Sequence, residues 1–228
     1  MLNTALYQLF ILSLASFNKY IMEEQIKNCR IILGDNMEYM KNIPDKCFDL
    51  AVVDPPYGIG ISSNPVRQLH QKKNWDDSIP KKEYFYELLR ISKNQIIWGG
   101  NYFIDYLNNT QCFLIWDKKQ PMDFSLAMCE MAWTSFSKPA KIFTRSVLKE
   151  QGKIHPTQKP IQLYEWIYLN YAKEGMKILD THLGSGSSAI AAYRVGMDFE
   201  FTGIEIDEEY YNNAVKRIKW ETSQGSLF

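Results

Sequence analysis

The sequence predicts an α/β fold, a mostly parallel sheet with helices packed on its faces, from three observations. Short apolar runs at residues 29–33, 50–53, 95–98 and 176–180 alternate with segments of helical spacing. Carboxylates (Asp35, Asp54, Asp180) close or follow three of those runs, and open α/β sheets put ligand chemistry at that end of their strands. A strand, a Gly-rich turn and a helix follow one another over residues 176–195, an arrangement suited to nucleotide binding. A chain of 228 residues suits one large domain.

Residues 29–33 read as a strand ended by Gly34-Asp35, with Asn36 expected to cap a helix over 37–42. Residues 50–53 form the next strand, so the pair flanks a helix as a βαβ unit. Residues 58–80 read as a long loop carrying Arg67, Lys72, Lys73 and Trp75; a basic, aromatic loop of this length suits a lid or a nucleic-acid arm. A helix is expected over 81–91, whose apolar face (Tyr84, Phe85, Leu88, Leu89) belongs to the core.

Strands follow at 95–98, 112–116 and 127–134, with a short helix over 101–107 between the first two. Residues 140–143 are expected to pair antiparallel with 127–134. Residues 138–159 hold the densest positive charge of the chain, including Lys141, Arg145, Lys153 and Lys159, and suggest a surface that contacts phosphates. In His155-Pro156-Thr157-Gln158-Lys159-Pro160, Thr157 is placed to cap a helix running to about residue 171, whose N-terminus would attract an anion. After the strand at 176–180, helices are expected at 189–195 and 207–219, separated by a strand that ends in Glu205.

Lys and Arg total 26 and Asp and Glu total 26, so any nucleic-acid contact must come from a local patch rather than from net charge. The four cysteines have no C-x-x-C spacing, which gives no zinc signature and points to free buried thiols in a reducing cytoplasm. Residues 1–22 are expected to be a peripheral extension, since the apolar run is short, interrupted and lacks a basic flank. Residues 23–228 then form the single domain, with inserted loops at about 58–80 and 144–154.

Asp54-Pro55-Pro56-Tyr57 is the stretch around which the rest is arranged. Two prolines remove two backbone donors and stiffen the turn. What remains is a carboxylate, the Pro55 carbonyl and a flat ring, a set that fits a heteroaromatic amino group. Taken alone, the tetrapeptide also fits an ordinary turn after a strand. The second motif, Gly184-Ser185-Gly186, has Ala189 where a third glycine would complete a dinucleotide fingerprint. Glu205 lies about twenty residues on, where a carboxylate can accept from ribose hydroxyls.

With these residues in view, the chain resembles the DNA amino-methyltransferases, S-adenosylmethionine-dependent enzymes acting on adenine N6 or cytosine N4. Asp54-Pro55-Pro56-Tyr57 resembles their catalytic motif, Asp180 with Leu183-Gly184-Ser185-Gly186-Ser187 their cofactor loop, and residues 155–160 the motif before that loop. The order, catalytic motif first, resembles the β group. The resemblance implies a Rossmann-like methyltransferase fold, a seven-stranded mostly parallel sheet with its last strand antiparallel and helices on both faces. It implies catalytic roles for Asp54, Pro55, Pro56 and Tyr57, with Tyr57 stacking on a flipped base. The cofactor would be held by Asp35, Asp54, His155, Thr157, Lys159, Asp180, Gly184, Ser185, Gly186 and Glu205, Thr157 and Lys159 approaching its carboxylate. Double-stranded DNA is the implied partner, contacted by Arg67, Lys72, Lys73, Lys141, Arg145 and Lys153. A restriction endonuclease partner and a homodimer remain open, and no metal or stable membrane association is expected. Asp at position 54 favours adenine over cytosine, where Ser is more frequent. Methylation of RNA or protein, which goes with Asn-Pro-Pro-Tyr and a leading cofactor loop, and a vestigial nucleic-acid-binding fold are the alternatives.

Overall fold

The computed structural model describes residues 22–60, 76–121, 127–146 and 157–224. All of the expected 1–22 extension but Met22, which opens the first strand, most of the basic loop (Arg67, Lys72, Lys73) and the stretch holding Lys153 and His155 lie outside the described residues.

The strands are β1 (Met22–Ile26), β2 (Cys29–Leu33), β3 (Phe48–Val53), β4 (Ser92–Trp98), β5 (Phe113–Asp117), β6 (Cys129–Thr134), β7 (Lys141–Thr144), β8 (Lys177–Asp180) and β9 (Glu200–Glu205). The helices are α1 (Asn36–Lys41), α2 (Lys82–Ile91), α3 (Ile161–Tyr171), α4 (Ser187–Arg194) and α5 (Glu208–Ser223). Among the described residues the sheet has nine strands, not the expected seven, in the order β1-β2-β9-β8-β3-β4-β6-β5-β7. Strands β2, β9, β8, β3 and β4 run parallel. The last strand of the chain, β9, is thus parallel to both neighbours, and the reversed strands are β6, inside the sheet, and β1, at its edge.

Other expectations are corrected. Strands β2 and β3 flank α1 in sequence but are separated in the sheet by β9 and β8. β7 does not pair with β6, because β6 already has β4 and β5 on its two edges; β7 adds in parallel to the free edge of β5. Residues 101–107 form two 3-10 turns rather than one helix. Asp35, not Asn36, caps α1, accepting from the amides of Met37 and Glu38 at 2.7 and 3.1 Å. Thr157 does not cap α3, which starts at Ile161 behind Pro160 without a side-chain cap. A proline disfavours helical backbone in the residue before it, so the helix does not begin at Lys159.

Helices cover both faces. Alternate strand residues such as Leu50, Val52, Ile96 and Ile178 pack with Leu163, Ile190 and Ile218 of α3, α4 and α5. Ala51, Val53, Ile97 and Leu179 face the other way, onto Met40 of α1 and Phe85 and Leu88 of α2. Strands buried on both faces read as continuous apolar runs, which is why β3 was legible. The chain leaves β8 through α4 to β9 on one side, and leaves β3 through α2 to β4 on the other. The ends of β8 and β3 therefore flank a topological switch point, where a crevice opens.

Candidate active site

Strand β3 delivers Asp54 to this crevice. The donors left to the rigid turn are the amides of Tyr57 and Gly58, and both reach Oδ1 of the buried Asp76, at 2.8 and 3.0 Å. The turn is thus stapled by a carboxylate from the far end of the long loop. Tyr57 folds back and its hydroxyl donates to Asp54 Oδ1 at 2.6 Å. Its ring stacks on Tyr102, 5.1 Å between centroids and 16° between planes.

Asp54 Oδ2 accepts from the ammonium of Lys159, whose side chain is 3% exposed. That ammonium also lies 2.9 Å from Oε2 of Glu130 on β6 and 3.2 Å from the Tyr57 hydroxyl. Lys118, just past β5, meets the other Glu130 oxygen at 2.5 Å. Two carboxylates and two ammoniums therefore alternate: Asp54, Lys159, Glu130, Lys118. Burial pushes the Asp54 carboxyl above its ordinary range and Glu130 adds to the rise, against the pull of Lys159. Burial also acts against the charge of Glu130, but Lys159 and Lys118 outweigh it and hold that carboxyl at about 2. Lys159 is opposed by burial and raised by its two carboxylates, so it stays an ammonium.

Two cavities meet here. The first, about 340 Å³, runs from Asp54, Thr157 and Lys159 past Leu183, Gly184 and Ser185 to Glu205, Ile206 and Asp207. The second, about 390 Å³, is lined by Asp54, Pro55, Tyr57, Tyr102, Lys118, Gln120 and Glu130. Asp54, Pro56, Thr157 and Lys159 belong to both walls. In the first cavity the Glu205 oxygens accept from the amides of Gly184 and Asp207, at 2.8 and 3.0 Å. The Ile206 amide also bears on this carboxylate, which lines the cavity and keeps acceptor capacity for a ligand. Arg217 of α5 reaches Ser185 O at 2.8 Å and Ser187 Oγ at 2.9 Å, which fixes the Gly-rich turn.

The family described as DNA methylase, of the N6 and N4 type, matches residues 97–216. The Type II methyltransferase M2.DpnII of Streptococcus pneumoniae is 46% identical over 253 aligned residues, covering 86% of this chain and 91% of that protein. The chain belongs to the DNA methylase family. Solved structures agree on the fold. The M1.HpyAVI–SAM complex superimposes with a TM-score of 0.58 at 20% identity, covering 83% of this chain and 98% of that one. The cytosine-N4-specific PvuII DNA methyltransferase gives 0.60 at 12% identity, covering 88% and 93%.

In the methylase, the cofactor residues expected from sequence, His155 outside the described residues apart, divide into two groups. Asp54, Thr157, Lys159, Gly184, Ser185 and Glu205 line the first cavity. Asp35, Asp180 and Gly186 are not on its wall. Asp35 is taken by the α1 cap, and Gly34 and Asn36 on either side of it line the cavity instead. Gly186 closes the turn before α4 with φ +75°. Asp180 sits behind the loop, accepting from the Ser188 hydroxyl at 2.5 Å and the His182 amide at 3.0 Å. Lys159, expected to approach a cofactor carboxylate, is held by Asp54 and Glu130.

The basic patch also changes. Lys159 is buried, and Lys141 bonds Asn170 at the start of β7, the end of the sheet away from Asp54; Arg145, after β7, lies at the Asp54 end. Of the thiols, Cys29 and Cys112 are buried, while Cys129 is exposed on the wall of the second cavity.

Sequence reasoning missed Asn36, His182, Tyr164 and Tyr210 in the first cavity, and Asp76, Lys118 and Glu130 around the turn. His182 is pushed down to about 3 by burial and is a neutral imidazole, with the Asn36 amide 3.1 Å from its Nε2. The signal for Glu130 was a lone acid in an apolar strand, which single-sequence reading cannot pair.

Asp180 yields a prediction. Burial pushes its carboxyl up to about 7, against the bonds from Ser188 and His182. A raised carboxyl favours the fold in its neutral form: the contribution is whole below the unfolded value and is lost as pH rises through about 7. Asp180→Asn should therefore gain stability over the parent as pH rises from about 4 to 8, reaching on the order of 2–4 kcal/mol. Thermal melts across that range check it, and a difference that does not change with pH would refute it.

Proposed function

We propose that the methylase transfers a methyl group from S-adenosylmethionine to the N6 amino group of adenine in double-stranded DNA. The observation that carries this reading is the shared wall: one carboxylate, Asp54, faces both a cofactor-sized cavity and a second cavity walled by stacked aromatic rings. The first cavity fits the cofactor. Its size is that of a small-molecule site, its Glu205 oxygens suit a ribose diol, and Leu183, Ile204 and Ile206 offer apolar surface to a purine. When bound, S-adenosylmethionine supplies an electrophilic methyl group on a positively charged sulfonium and leaves as S-adenosylhomocysteine.

The protein's share is to hold and polarise the amino group. An aromatic amine has its lone pair spread into the ring. Accepting its two hydrogens, at the Asp54 carboxylate and the Pro55 carbonyl, favours a pyramidal nitrogen with a directed lone pair. The methylated nitrogen is acidic, and Asp54, whose carboxyl burial pushes up, takes the proton. The base must leave the duplex, and Tyr57 with Tyr102 gives it an aromatic wall. Asp at position 54 supports adenine. The Type II name of the Streptococcus pneumoniae relative supports a place beside a restriction endonuclease.

Unmethylated DNA treated with the purified methylase and S-adenosylmethionine should yield N6-methyl-2′-deoxyadenosine on nucleoside mass spectrometry. N4-methylcytosine alone would overturn the choice of base, and neither product would overturn the function.

A further inference from the structure

The described molecule holds one buried ion cluster that catalysis by Asp54, Pro55, Pro56 and Tyr57 leaves unexplained. Lys159 is fully enclosed, between the carboxylates of Asp54 and Glu130 and with the Trp98 ring 5.3 Å from its ammonium. A single buried ammonium facing a single carboxylate would hold it tightly and leave it a poor acceptor for anything else. Glu130 alters that balance from 2.9 Å, and is itself set in place by Lys118 and by the pairing of β6 with β5.

We propose that Glu130 is a positioning residue for methyl transfer: it shares the Lys159 ammonium with Asp54, so that Lys159 orients the catalytic carboxylate without capturing it. Asp54 then keeps lone pairs for the amino hydrogens of the base. Lys118 completes the device by pairing with the other oxygen of Glu130. In this arrangement Lys159 serves the reacting carboxylate rather than the carboxylate of the cofactor. The inference rests on the proposed amino-group transfer.

The charged and titratable groups that bear on Asp54 are Lys159, Glu130 and Tyr57, with Lys118 acting through Glu130. Asp54 also raises the carboxyl of Asp180 and the hydroxyls of Tyr84 and Tyr164, so these belong to its field. Glu130→Gln removes a repulsion on Asp54 and gives it the whole of Lys159. Its carboxylate becomes easier to ionise and harder to use. Lys118→Met leaves Glu130 with more claim on Lys159 and more repulsion on Asp54, so the Asp54 carboxyl becomes harder to ionise.

The test is the pH profile of single-turnover methyl transfer for the parent, Glu130→Gln, Glu130→Asp and Lys118→Met, over about pH 5–9. Glu130→Gln should lose about tenfold or more in rate with the KM for S-adenosylmethionine within about twofold of the parent, and its acid limb should move to lower pH. Lys118→Met should move the acid limb to higher pH, and Glu130→Asp should recover part of the rate. Opposite shifts from two neighbouring substitutions are not what general loosening produces. An unchanged rate in Glu130→Gln, or a lost rate with both acid limbs where the parent has its own, would overturn the role of Glu130. Should Glu130→Gln not fold, the direction of the Lys118→Met shift decides alone. Absence of transfer by the parent protein would instead overturn the function on which the inference rests.

Discussion

Asp54→Ala should lower the single-turnover rate of methyl transfer by about 10³-fold, the order seen when an acceptor aimed at developing charge is removed. Among the described residues, the substitution deletes the one carboxylate common to both cavities. It also frees the Tyr57 hydroxyl of its 2.6 Å acceptor and leaves Lys159 with Glu130 as its remaining described carboxylate. Glu130 still neutralises Lys159, so the cost to folding should stay below that of stranding a buried ammonium, on the order of 3–5 kcal/mol. The ribose contacts assigned to Glu205 lie at the other end of the first cavity and should be untouched. Cofactor affinity by calorimetry is therefore expected to stay within about tenfold while the rate collapses, the pattern of a group used in the transition state. Activity equal to the parent's would refute the role given to Asp54.

Gly99→Ala is expected to damage the same site from the opposite side. Gly99 has φ +70°, and a Cβ there would lie 2.2 Å from Cε1 of Tyr57 and 2.8 Å from its Cζ. The ring cannot retreat without leaving its stack on Tyr102 or its bond to Asp54. Left-handed backbone and overpacking together should cost about 2–4 kcal/mol of stability. The rate should fall as Tyr57 is displaced, with cofactor affinity kept. A Gly99→Ala, Tyr57→Leu pair separates the causes: if the clash is the reason, the two stability losses will add up to more than the double variant shows. Parent-like melting and rate in Gly99→Ala would refute the close approach.

Cys29 to Leu33, Leu50 to Val53 and Ile178 to Asp180 were legible as strands because a parallel strand covered on both faces is apolar at consecutive positions. The turn at Asp54 and the Gly-rich turn before α4 were legible because proline and glycine impose their conformations locally. β1 was missed: Met22 to Ile26 is mostly polar and becomes a strand by pairing antiparallel with β2. The caps were misplaced by one position at α1 and by three at α3, where a buried lysine before a proline overrides the local preference of Thr157.

The sequence by itself determined the class of fold and the two turns that face each other, and it suggested the chemistry proposed for Asp54, Pro55 and Tyr57, since these turns rest on residues adjacent in the chain. The tertiary structure decided what surrounds Asp54. Lys159 stands 105 residues away from it in the chain, and Glu130 reaches it only because β6 inserts between β4 and β5. An isolated Glu in a strand or a Lys before a proline carries no local mark of its partner. Charges pair across the sheet only where folding has removed water from between them, and strand order is what brings these four side chains together.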